Sequence, residues 1–207
     1  MSAAPGVHRS RWWTAALLAG LTVTLGSAAV SCAPPGPSLP PTPPTAALWF
    51  VGDSLATGTG FGMPYPRPFV DGVGAAGFTS GALSTIQGNT QSVIDQYGPP
   101  RTILAMGGVN DFAINATASQ ITAAMGAFEA AMNAQGATVV WVMEPAWSRA
   151  PQFPPVNDWI RTRGHWIDCL AYQGDHLLWD GDHPADYGPF AQCVADRLLD
   201  MHDLDIG

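Results

Sequence analysis

Residues 47–60 read ALWFVGDSLATGTG. Four apolar residues, Leu48 to Val51, stop at Gly52-Asp53-Ser54-Leu55. An unbroken apolar run that ends at glycine suits a parallel strand buried on both faces. The serine just beyond it has two readings. It can cap a helix beginning near Leu55, or it can be a nucleophile held in a tight turn.

Working outward, RTILAM (101–106) and ATVVWVM (137–143) are two further runs of the same kind. HWIDCL (165–170) is a fourth strand candidate and GFTSGAL (77–83) a weaker fifth. Helical patterns lie between them. Over 116–136, Ile121, Met125, Phe128 and Met132 recur at the spacing of one helix face, and Gly136 ends the pattern. A shorter helix is expected over 89–98, capped by Asn89 or Thr90, and two more over 154–164 and 186–200. Strand and helix alternating along one chain predict an α/β fold, three layers deep, with a central, mostly parallel five-stranded sheet. In such sheets ligands bind beyond the carboxyl ends of the strands. Ser54 and the loops at 107–112 and 145–153 all follow strands, so they share one rim.

The chain has 207 residues, and its ends differ in character. Residues 1–13 carry His8, Arg9 and Arg11 and no acid, and residues 14–30 are uncharged and mostly apolar. That is the pattern of a secretory signal; an uncleaved anchor is the alternative, with an apolar run slightly short for a span. AAVSCAPP (28–35) resembles a lipobox with Cys32 as the lipidated residue, and ordinary cleavage after Ala29 or Ala33 is the competing reading. We therefore assign 1–31 to a signal peptide, 32–44 to a proline-rich tether and 45–207 to one domain. The tether favours an extended form, and twelve such residues reach roughly 35 Å.

The folded region holds all 16 acids and six of the eight arginines, and the chain has no lysine. Nucleic acid is excluded as a partner, because neutralising phosphates needs cations. With Cys32 set aside, Cys169 and Cys193 remain as an even pair. Outside the cytoplasm such a pair forms a disulfide; two separate buried thiols are the alternative.

Three more segments complete the pattern. MGGVNDF (106–112) follows the 101–106 strand, and WDGDHPADYG (179–188) lies near the end. With VGDSL (51–55), they resemble the blocks of the SGNH hydrolases, the GDSL esterase and lipase family. Gly52-Asp53-Ser54-Leu55 matches the serine block, Gly108-Val109-Asn110-Asp111 the GxND block, and Asp180-Gly181-Asp182-His183 the DxxH block. Gly88 is taken as the family's glycine, with Gly81 nearby. The resemblance covers Gly52 to His183 with the blocks in family order. It implies the flavodoxin-like SGNH fold and a serine nucleophile, Ser54, with His183 as base and Asp180 orienting the imidazole. The Ser54 and Gly88 backbone N–H groups and the Asn110 amide would form the oxyanion hole, with no cofactor and no metal.

The residue types fit that chemistry. A serine hydroxyl needs a base to take its proton, the base needs a partner that fixes its tautomer, and the oxyanion needs preset donors. The G-x-S-x-G elbow of α/β-hydrolases is absent, since position 56 is Ala. Residues 180–191 fail as an EF-hand loop, with Ala185 at the sixth position and Ala191 at the twelfth. Among the other histidines, His176 lacks an acid three residues earlier, His165 is expected in the core, and His202 in solvent. Asp53 is read as holding the turn.

The family acts on acyl esters of lipids, sugars and thiols, so the resemblance implies an exported esterase. Its expected partner is an acyl-ester small molecule or an acylated glycan, with membrane contact only through the N-terminal signal or lipid anchor. The acyl group is expected to be short or acetyl, the protein a monomer. Tyr65, Phe69, Trp147 and Phe153 are candidate substrate contacts. An acyltransferase or deacetylase acting on envelope carbohydrate is the alternative, and an inactive binding module on the same scaffold a further one.

Overall fold

A computed structural model describes residues 46–79, 82–145, 153–172, 178 and 183–207. The expectations for residues 1–44, including lipidation at Cys32, lie outside these, as do Gly81, Trp147, His176, Asp180 and Asp182.

The three strongest apolar runs form the centre of the sheet. They are β1 (Leu48–Gly52), β5 (Thr102–Met106) and β6 (Thr138–Val142). The edges are β2 (Phe69–Gly72) and β7 (Trp166–Ile167), in the order β2-β1-β5-β6-β7. All four pairings are parallel, with Val51 opposite Asp71 on one side and Ala105 on the other.

The runs lack polar alternation because both faces are covered. On one face Trp49, Val51, Ile103, Ala105, Val139 and Trp141 are buried against α4 (Ala118–Ala134) and α5 (Pro154–Ile160). On the other, Leu48, Phe50, Leu104, Met106, Val140 and Val142 are buried against α1 (Ser54–Gly62) and α6 (Gly188–Leu199). The helix face read from sequence in α4 is the one buried: Ile121, Met125, Phe128 and Met132 are each fully covered. Thr117 and Gln120 close its start in a capping box. Trp141 meets Phe78, Phe128 and Trp159 at centroid separations of 5.6, 6.0 and 5.6 Å, which adds aromatic edge contacts to simple burial.

Four expectations need correction. The fifth strand of the main sheet is β2, not 77–83. That region instead contributes β3 (Ala76–Gly77) and β4 (Ser84–Thr85), a separate two-stranded parallel pair. The helix α2 (Ile86–Tyr97) starts three residues early, because Thr85 rather than Asn89 or Thr90 caps it. The last strand shrinks to two residues, and His165 before it is not a core residue. Its imidazole is 30% exposed and faces Asp203 at 3.8 Å. The short helix α3 (Val109–Ala113) was not foreseen.

Candidate active site

Strand β1 ends at a position that only glycine fills. Gly52 has φ +155°, and a Cβ there would lie 1.9 Å from the Met106 carbonyl oxygen of β5. Next, Asp53 takes extended backbone and caps α1: its Oδ1 accepts from the N–H groups of Leu55 at 2.9 Å and Ala56 at 3.4 Å. Asp53 thus does the capping that one reading gave to Ser54. The serine becomes the first residue of the helix, and its hydroxyl is not consumed by a cap.

That hydroxyl has a partner from far along the chain. His183 Nε2 lies 2.7 Å from Ser54 Oγ, across 129 residues of sequence. The neutral tautomer with a free Nε2 lone pair accepts the serine proton. His183 sits just before α6, and its own carbonyl accepts from the Leu178 N–H at 2.7 Å. Asp180, the expected orienting acid, lies outside the described residues. A disulfide joins Cys169 to Cys193, before and within α6, and so brackets the segment that carries both residues.

The third strand end contributes the GxND block. Gly108 starts α3 with φ +128°, another conformation that favours glycine. Asn110 Nδ2 donates to the Ala76 carbonyl at 2.9 Å, which spends one of its two amide hydrogens. Asp111 is fully buried and accepts from the Phe78 N–H at 2.8 Å, the Thr79 N–H at 2.7 Å and Thr79 Oγ1 at 2.6 Å. Together these two side chains tie residues 76–79 to the rim beside Ser54.

The Gly88 amide is engaged within its own helix. Gly88 lies inside α2, and its N–H donates to Thr85 Oγ1 at 3.0 Å as part of the helix cap. An amide spent in a cap is a poor oxyanion donor. Phe153 is likewise not a substrate contact: it is fully buried and packs edge-on against Phe112 at 5.1 Å. Phe69 packs against Trp49 with the rings tilted and their centroids 5.3 Å apart. Tyr65 is exposed, on the connection between α1 and β2.

A group the sequence reading passed over is Glu144. It stands two residues past β6 and is fully buried, as are Asp53 and Asp111. The signal was present: one acid closes an otherwise apolar run at a strand's carboxyl end. Burial pushes the Asp53 carboxyl up to about 7; the Leu55 and Ala56 N–H groups and His183 oppose the rise, and Asp111 adds to it. Burial drives Glu144 well above the usual carboxylate range, helped by Asp53 and Asp111. Asp53 Oδ2 and both Glu144 oxygens have no hydrogen-bond partner among the described residues. No group of three His, Cys, Asp or Glu among the described residues is arranged to hold a metal ion.

No family model matches the chain, and no curated protein matches it in sequence. Solved structures do match in shape. An acetyl esterase variant with bound acetate superimposes with a TM-score of 0.58 at 18% identity, covering 74% of this chain and 96% of that one. A carbohydrate esterase family 3 protein from Talaromyces cellulolyticus gives 0.58 at 19%, covering 76% and 99%. A GDSL-like lipase from Bacteroides thetaiotaomicron gives 0.56 at 12%, covering 76% and 88%. The chain has the SGNH hydrolase fold. The blocks read from sequence therefore sit on the scaffold they implied, with Ser54 after the first strand and Asn110 after β5.

Proposed function

We propose that this protein is an exported serine esterase that hydrolyses short-chain or acetyl esters. The observation that carries the reading is the 2.7 Å approach of His183 Nε2 to Ser54 Oγ. Two polar residues so distant in sequence, meeting at the carboxyl edge of a parallel sheet, form a nucleophile and its base.

The chemistry follows from that contact. Ser54 Oγ attacks the ester carbonyl carbon as its proton passes to His183 Nε2, and the carbonyl oxygen takes the negative charge. Collapse breaks the C–O bond to the alcohol, which leaves with the proton from Nε2. A water then attacks the acyl-serine with His183 again as base, releasing the acid and restoring Ser54. Asp180 holds the imidazole tautomer and stabilises the imidazolium. The oxyanion is received by the Ser54 N–H, at the first position of α1 where the helix dipole favours negative charge, and by the second amide hydrogen of Asn110. The Gly88 amide is spent on Thr85, so Gly88 is not assigned as a third donor. Among the fold's solved examples, the acetyl esterase supports a short acyl group, and the Cys169–Cys193 disulfide supports an oxidising compartment.

The test is hydrolysis of p-nitrophenyl acetate, butyrate and octanoate by the wild type and by Ser54→Ala, with fluorophosphonate labelling alongside. We expect acetate or butyrate to be preferred, label on Ser54, and turnover reduced to background in the variant. Equal activity in Ser54→Ala removes the nucleophile assignment, and a wild type that neither labels nor turns over leaves a binding module.

A further inference from the structure

The buried acids under the rim pose a problem of donors. With both carboxyls ionised, Asp53 Oδ2, Glu144 Oε1, Glu144 Oε2 and Asn157 Oδ1 are four buried acceptors with no donor among the described residues. Asn157, from α5, spends its amide on the Glu144 backbone carbonyl at 3.3 Å. Buried polar groups left in this state are costly and uncommon. One proton on Glu144 turns an acceptor into the missing donor.

The strand order provides the meeting place. Asp53 follows β1 and Glu144 follows β6, and β5 runs between them. Neighbouring strands are about 4.8 Å apart, so the two acids face each other over roughly 10 Å of sheet edge. Between them, one residue past β5, lies Gly107; a Cβ there would lie 3.6 Å from Asp53 Oδ2, behind Ile86 Cδ1 at 2.8 Å and Phe78 Cε2 at 3.3 Å. The charged groups that face Asp53 are His183 from the loop before α6 and Asp111 from α3, and those that face Glu144 are Asp53 and Asp111. No arginine faces either acid among the described residues.

We propose that Glu144 is a positioning residue of the Ser54 site: it stands as a neutral carboxylic acid and donates to the free oxygen of Asp53. The bond fixes the carboxylate that caps the nucleophile's helix. It also holds the Asp53–Glu144 pair at one negative charge beside His183, so that the serine's oxyanion does not develop against two. When Glu144 ionises, the donor is lost and the second charge appears. The role rests on Ser54 being the nucleophile.

The test compares Glu144→Gln, which keeps a donor and cannot ionise, with Glu144→Ala, which has none. Rates on p-nitrophenyl acetate are followed from about pH 5 to about pH 10 in the full chain. Glu144→Gln should keep kcat within about threefold of wild type at neutral pH and hold it beyond the pH at which the wild type falls; Glu144→Ala should lose more than about tenfold in kcat with KM within about threefold. Equal losses in the two variants, or an unchanged alkaline limb in Glu144→Gln, overturn the proposal. Thermal unfolding across the same pH range, in the Ser54→Ala background, gives a readout independent of hydrolysis. There the Glu144 parent should lose stability as pH rises while Glu144→Gln stays flatter, and parallel curves overturn the proposal even if no ester proves to be a substrate. If Glu144→Ala does not fold, the Gln measurements decide.

Discussion

The two edges of the central sheet are built in opposite ways. At the amino edge the polar groups of the strand starts are paired. The Ala47 carbonyl accepts from the N–H groups of Arg101 and Thr102, each at 2.9 Å. Thr102 Oγ1 donates to the Asp205 carbonyl at 2.8 Å, and the Arg101 guanidinium pairs with the Asp205 carboxylate. At the carboxyl edge, one residue past β1 and two past β6, lie Asp53 and Glu144, buried, with Asp53 Oδ2 and both Glu144 oxygens lacking a partner among the described residues. A fold tolerates such groups where chemistry needs charge and a dry setting, and pairs them where it needs only closure. The same strands carry both edges, so the difference lies in what each edge is for.

Substitutions that separate the edges should differ in kind as well as size. The largest loss after that of Ser54 belongs to Asn110→Ala, which removes the proposed oxyanion donor: kcat should fall by about 10²–10³, read by steady-state kinetics on p-nitrophenyl acetate. A change confined to KM would return Asn110 to a purely structural role through its bond to Ala76.

Cys169→Ser comes next and acts on stability. The bridge spans a sequence separation of 24, and closing a loop of that size is worth about 3–4 kcal/mol by chain entropy. Denaturant unfolding should show that loss. Activity should fall with it if the bond pins the segment bearing His183, and an unchanged rate at a temperature where the variant is folded would confine the bond to stability.

Asp53→Asn probes the buried charge itself. The folded-state value of Asp53, about 7, is above its ordinary 3.8. Its contribution to stability is therefore complete below about 3.8 and lost as pH rises through about 7. Asparagine still caps the helix but cannot ionise. The variant should gain on the wild type in melting temperature as pH climbs through that window, and equal slopes would place the Asp53 carboxyl at its ordinary value.

The smallest effect belongs to the amino edge. Arg101 and Asp205 are 69% and 49% exposed, and such pairs contribute at most about 1 kcal/mol. Asp205→Ala should lower the melting temperature slightly and leave kcat untouched. A loss of activity there would mean that the two edges are coupled through the sheet.

The sequence by itself determined the sheet's centre and the long helices. Apolar runs at 48–51, 101–106 and 137–143 and the α4 face at Ile121, Met125, Phe128 and Met132 are local patterns, legible because burial on both faces or one leaves its mark on sequence. The residue types of Ser54, Asn110 and His183 were legible too, as ordered blocks. Short or edge elements were not: β2, β3 and β4 have two to four residues each, and α3 only five. Nothing so brief carries a period.

Only the tertiary structure decided how the site is held. It gave the cap to Asp53 and freed Ser54, spent the Gly88 amide on Thr85, buried Phe153 in the core, and buried Glu144 past the end of β6. Each of these outcomes depends on which groups meet across strands. One chain's spacing does not record that, because hydrogen bonding and desolvation act between residues that are distant in sequence and adjacent in space.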